Sequence, residues 1–232
     1  MGRIHEDPAL RDRAPAFHDR QDAGGRLGRY LADLPGLGNP LVCPIPAGGI
    51  PVGIPISRDL RCPLRPLIVR KVQIPWNPEA GFGAVAWDGR VFLNEDLANR
   101  LHLTADEAEA AVSKARANVK ERAELFGSAG PFPDPGGHSC IVVDDGLASG
   151  YTMAAACEAL KPLGPRRIVV AVPTGSSGPA GRIADLVGDV VCLNIRSGSS
   201  FAVADAYEDW YDLPDNEAVR LLREAGTTGG MK

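Results

Sequence analysis

IVVDDGLASGYT, residues 141–152, runs from an apolar strand through two consecutive carboxylates and a glycine-bracketed turn into the start of a helix. Gly146 and Gly150 let the backbone curl so that successive N–H groups face one point, and a helix beginning near Gly150 adds unsatisfied donors and the positive end of its dipole. Ser149 and Thr152 add hydroxyls to this cradle, and Leu147, Ala148 and Tyr151 complete its backbone. Asp144 and Asp145, just ahead of it, are acceptors suited to sugar hydroxyls and to a magnesium shell. A phosphate cradle beside acceptors for a diol fits a phosphoribosyl group. A Walker loop would need lysine where Tyr151 stands, and a hydrolase elbow would need its serine one place earlier than Ser149. The plain alternative for either aspartate alone is a strand end that caps a helix.

Outward from this loop, short runs rich in valine and isoleucine recur at residues 41–45, 66–70, 139–143, 167–172 and 190–195. This is the composition of strands buried on both faces, and five of them predict a parallel sheet. Helical patterns lie between them, as in a doubly wound α/β domain. Thr104 and Glu107 form a capping box ahead of an apolar face that runs from Ala108 to Phe126. Ala23, Leu27, Leu31 and Leu34 predict a helix despite Gly24, Gly25 and Gly28. Further helices are expected after Gly49, with Pro55 awkward inside it, and over 150–160, after Ser177 and after Asp215. Residues 72–90, rich in proline and glycine, read as a long mobile connection with a short hairpin at 83–93. The first seventeen residues show no period and are expected to form an arm, loose or docked. The domain reading is therefore arm 1–17, core 18–189, and a last core strand with a small C-terminal hood over 190–232.

The chain has 232 residues, enough to bury one full core. Its net charge of -4 predicts no general attraction to nucleic acid or anionic membrane, and a small molecule is the expected partner. No apolar run approaches the roughly 20 residues of a membrane span. The charged N-terminus is unlike a signal peptide, so a cytoplasmic location is expected. Five cysteines without a CxxC pair read as reduced and structural, and four scattered histidines offer no transition-metal spacing.

Residues 141–152 resemble the PRPP (5-phosphoribosyl-1-diphosphate) signature of type I phosphoribosyltransferases. CPIPAGGIPVG at 43–53 resembles the pyrophosphate loop after the first core strand, and LIVRK at 67–71 resembles the strand leading into the flexible loop. WNPEAGFGAV at 76–85, FLNED at 92–96 and YEDW at 207–210 are similar to a group of bacterial and archaeal predicted phosphoribosyltransferases. The resemblance covers about residues 17–225. It implies a flavodoxin-like core with strand order 2-1-3-4-5, whose loops after the first and third strands face each other at the switch point.

It also implies a magnesium-dependent transfer of the phosphoribosyl group of PRPP to an unidentified nitrogenous acceptor, with release of pyrophosphate. Ala47, Gly48, Gly49, Arg70 and Lys71 would serve the pyrophosphate. Residues 72–90 would close over the site, with Glu79 either handling an acceptor proton or lying on the surface. Phe201, Tyr207, Trp210 and Tyr211 are candidates for stacking on a flat base or for hood core. Two departures stand out. Ala148 replaces the acidic residue of the purine-salvage enzymes, and Ala47 stands where arginine is expected. They keep open a non-catalytic PRPP or nucleotide sensor, and a phosphoribosyl hydrolase or phosphorylase. A homodimer is also left open.

Overall fold

The alternation of apolar runs and amphipathic helices builds one parallel sheet covered on both faces. The computed structural model of the chain describes residues 2–128, 132, 134–198 and 201–226, apart from the side chains of residues 78 and 79. Its strands are β1 (Arg3–His5), β2 (Pro40–Pro44), β3 (Val69–Ile74), β4 (Asn77–Ala86), β5 (Val91–Leu93), β6 (Ser139–Val143), β7 (Arg167–Ser176) and β8 (Asp189–Arg196). Its helices are α1 (Arg20–Ala32), α2 (Gly49–Leu60), α3 (Glu95–Arg100), α4 (Ala105–Leu125), α5 (Tyr151–Leu160), α6 (Ser177–Val187) and α7 (Asp215–Glu224).

The main sheet has the order β1-β8-β7-β6-β2 with every pair parallel. Along each strand the side chains alternate between two cores. Leu41, Cys43, Cys140, Val142, Val170 and Val172 pack with α5 and α6, whereas Val42, Ile141, Val143, Val169 and Ala171 pack with α1 and α2. Burial of each large side chain contributes roughly 1.5–3 kcal/mol. The cysteines are free. Burial pushes the Cys157 thiol up to about 12 and the Cys62 thiol up to about 11, so both stay protonated as core groups. Pro55 lies inside α2 and does not end it. Gly24 of α1 sits where a Cβ would come within 2.4 Å of the Val52 carbonyl, so the glycine that weakens the helix also lets α1 and α2 approach.

Three expectations change. The second strand does not run over 66–70. Residues 63–67 lie parallel to β2 through Val42 N–H to Pro63 O, Arg65 N–H to Val42 O and Leu67 N–H to Pro44 O. Pro66 falls at the position that donates nothing, and the chain then leaves the sheet as β3. The anticipated order survives with this stretch at the edge beyond β2. Residues 72–90 are not an open connection: the expected hairpin forms between β4 and β5, and β3 joins it as a third antiparallel strand after a turn at Pro75 and Trp76. The arm is docked and extends the main sheet. β1 pairs with β8, His5 meets Asp189 at 2.9 Å, and the buried Asn194 side chain bonds the carbonyls of Leu10 and Arg13. Partial burial alone would raise the Asp189 pKa, but hydrogen bonds from His5 and Arg167 outweigh it and hold it below the ordinary value. Among the described residues no helix is long and apolar enough to cross a membrane.

Candidate phosphoribosyl site

β6 ends directly in the acidic pair. Asp144 Oδ1 accepts the N–H of Asp145 at 2.9 Å, a local turn that sends the two carboxylates apart. The following loop is anchored by Leu147, which is buried and bridges β7: its N–H donates to Thr174 O at 2.9 Å and its carbonyl accepts from Ser176 N–H at 3.1 Å. Gly150 then takes φ +80°, a conformation that favours glycine, and the first α5 bond runs from Ala154 N–H to Gly150 O at 2.8 Å. The N–H groups of residues 148–153 have no acceptor among the described residues. The start of α5 therefore presents bare donors and its positive dipole end, with no side-chain cap in the way.

The loop after β2 comes against this turn from the other side. A Cβ on Gly48 would lie 2.0 Å from Asp145 Oδ2, and one on Gly49 would lie 2.6 Å from the Val143 carbonyl oxygen. Both glycines are thus required by close approach. Their donors differ: Gly49 N–H already donates to Ile45 O at 3.0 Å, whereas Gly48 N–H has no acceptor among the described residues.

A cleft of about 1040 Å³ opens beside these loops. Asp144, Thr152, Ile45 and Pro46 line it from the parallel sheet, Arg70, Lys71 and Gln73 from β3, and Lys114, Asn118 and Glu121 from α4. Burial pushes the Asp144 carboxyl well above the usual carboxylate range, and the adjacent Asp145 pushes it further. Asp145 is raised by burial too, but Arg20 opposes the rise. Arg20 Nε donates to Asp145 Oδ2 at 2.9 Å, and the same guanidinium lies 3.8 Å from the Trp210 ring centroid and donates to Tyr211 O at 3.0 Å. Tyr207 Oη donates to the Asp145 carbonyl at 2.5 Å. Burial raises the Tyr207 phenol well above its ordinary range, so it serves as a neutral donor.

The sequence profile of the phosphoribosyl transferase domain matches residues 27–209. The chain belongs to the phosphoribosyl transferase domain family. Two Mycobacterium tuberculosis proteins, named "Putative phosphoribosyl transferase" in strains CDC 1551 and H37Rv, are each 36% identical over 209 residues, which is 90% of this chain and 47% of theirs. The chain thus spans about half the length of these curated relatives. Among solved structures, TT1426 from Thermus thermophilus is 33% identical and superposes with a TM-score of 0.74, covering 90% of this chain and 98% of that one.

Within this phosphoribosyl transferase domain, Asp144, Thr152, Arg70 and Lys71 all line one cleft. Others separate from it. Asp145 is turned to Arg20, and Leu147 is an anchor whose own donor is taken. Tyr151 sends its ring outward to a shallow hollow beside Phe92 and Leu93, where its hydroxyl accepts from Asn94 Nδ2 at 3.2 Å. Ala47 packs its methyl on the core and brings no charge. Glu79 lies in β4 and not in an open loop, and its side chain falls outside the described residues. Of the hood aromatics, Tyr207 is buried and Trp210 has Arg20 on its ring, so Tyr211 alone is exposed; Phe201 is half-buried. No aromatic side chain lines the cleft among the described residues. Arg20 and the α4 wall were missed. Arg20 had left a signal, since it falls at helical spacing ahead of Ala23 and Leu27, a charge on the buried face.

Proposed function

We propose that the chain transfers the phosphoribosyl group of PRPP to a nitrogenous acceptor and releases pyrophosphate. The observation that carries this reading is the run of bare N–H groups at 148–153, set beside an acid that faces a cleft whose β3 wall carries Arg70 and Lys71. In this reading the N–H groups of 148–153, with the Ser149 and Thr152 hydroxyls, bind the 5′-phosphate. Asp144 accepts from the ribose hydroxyls. Gly48 N–H, Arg70 and Lys71 face the diphosphate. The acceptor nitrogen forms its bond to ribose C1 as the C1–oxygen bond breaks, and pyrophosphate departs with the electron pair. Positive charge grows on the ribose ring meanwhile, so fixed acceptors, neutralised leaving-group charge and exclusion of water matter more than a protein nucleophile.

Magnesium fits this donor set in one way. Asp144 is a hard oxygen donor facing the cleft, and magnesium is usually held by one or two carboxylates plus substrate phosphates. Asp144 would hold it. Bound there, magnesium would supply charge neutralisation for the leaving pyrophosphate.

A second reading, a PRPP-binding module without turnover, is favoured by the uncharged Ala47 and by the pairing of Asp145 with Arg20. One assay separates the two: pyrophosphate release from magnesium-PRPP across a panel of nucleobases and amines. Release that depends on one acceptor supports transfer. Binding without release on any acceptor supports the sensor, and ribose 5-phosphate formed without an acceptor supports a hydrolase.

A further inference from the structure

We propose that Arg20 is a positioning residue of the site: it pins Asp145 against the 46–49 loop, leaves Asp144 as the acid that faces the cleft, and couples the hood to the phosphate loop. The proposal rests on the PRPP reading above. Arg20 is only 6% exposed, and arginine is almost never so buried unless paired. Its planar fork makes three contacts with two segments at once. Nε holds Asp145 at 2.9 Å, another nitrogen holds Tyr211 O at 3.0 Å, and the guanidinium face lies 3.8 Å from the Trp210 ring centroid.

Asp145 is fixed from every side. Arg20 takes its carboxylate, Tyr207 takes its main-chain carbonyl, and only the missing side chain of Gly48 makes room for the carboxylate. The consecutive aspartates therefore divide: Asp144 lines the cleft, and Asp145 serves as the post to which α1 and residues 207–211 are tied. A guanidinium whose only role was to fill core would not need to sit beside the phosphate loop. One that sets the loop must act through Asp145, and this distinction can be measured.

The test is calorimetric titration of magnesium-PRPP into wild type, Arg20→Gln, Asp145→Asn and the double variant, with Trp210 emission followed in parallel. Loss of the charged hydrogen bond should raise Kd by about tenfold or more in each single variant. The double variant should bind no more weakly than the weaker single, because both changes break one connection. Arg20→Lys, which keeps the charge but not the fork, should fall between wild type and Arg20→Gln, and it carries the test if the glutamine variant does not fold. PRPP should change the emission of wild type, and Trp210→Phe should remove that change. Arg20 variants that lose thermal stability yet bind with wild-type Kd would overturn the proposal, as would single effects that multiply in the double variant. Wild type that does not bind magnesium-PRPP would remove the phosphoribosyl reading and this inference together. Wild-type binding with unaffected variants would remove the inference alone.

Discussion

Two strand-to-helix turns meet at one edge of the sheet, and they treat their backbone donors in opposite ways. The turn after β2 closes at once: Gly49 N–H returns to Ile45 O, Ile50 N–H returns to Ala47 O, and one glycine donor, that of Gly48, stays open. The turn after β6 is stretched by Leu147, whose two bonds to β7 carry the chain sideways before α5 begins and leave the N–H groups of 148–153 without acceptors among the described residues. Glycine marks both turns in the sequence but for different reasons. At 48 and 49 it avoids collision, and at 150 it permits a positive φ. A bare helix start collects anions, whereas a closed one mainly shapes the wall opposite.

The largest effect on this contrast should come from the residue that joins the turns. Arg20→Gln leaves the largely but not fully buried Asp145 carboxylate without its partner, and loss of one member of a buried pair typically costs about 3–5 kcal/mol. Urea unfolding should show a drop of that order. A change below about 1 kcal/mol would mean that water serves Asp145 as well as Arg20 does.

Next come the glycines. Gly48→Ala places a methyl on the Asp145 carboxylate and should cost about 1–3 kcal/mol by overpacking, with weakened PRPP binding because the acid must move. Gly150→Ala meets no atom closer than 3.6 Å, so its cost should be only the left-handed backbone, about 1–2 kcal/mol. Crystal structures of the two variants would sharpen the contrast: a displaced carboxylate in the first, and an undisturbed neighbourhood with a shifted φ in the second. Equal displacement in both would erase the distinction between collision and conformation.

The smallest effect has the opposite sign. The folded Asp144 carboxyl titrates above its unfolded value, so between those two values the native state holds more protons than the unfolded chain, and stability falls as pH rises through that window. Asp144→Asn should remove this slope and make the unliganded protein slightly more stable at neutral pH. Asp145→Asn should destabilise it by stranding Arg20. Melting curves taken from about pH 4, near the ordinary aspartate value, up to about pH 8 decide the matter, and a loss of stability in Asp144→Asn would refute it.

Much of this arrangement was legible in the sequence because it depends on local pattern. The valine-rich runs at 41–45, 139–143, 167–172 and 190–195, the Thr104–Glu107 capping box and the glycine-bracketed loop each occur within a dozen residues, and each formed where expected. What stayed hidden depends on distant partners. β1 is three residues long with two of them charged or titratable, and it becomes a strand only because β8 offers an edge and Asp189 receives His5. Residues 72–90 read as a connection from their prolines and glycines, yet most of them pair as antiparallel strands with β3 and β5. Two adjacent aspartates looked equivalent until Arg20, 125 residues away in sequence, distinguished them.

The central claim, that the 144–152 loop holds a phosphoribosyl diphosphate and that Asp144 is its acid, is tested most directly by a thermal shift with magnesium-PRPP. A ligand that binds only the folded state at a hundredfold excess over Kd adds about 2.7 kcal/mol. For a domain of this size that is a rise in Tm on the order of 5–10 °C. Wild type should show it with magnesium-PRPP, show part of it with ribose 5-phosphate and none with magnesium-ATP, and Asp144→Asn should lose it. A full shift retained in Asp144→Asn, or a shift with ATP and none with PRPP, would contradict the account.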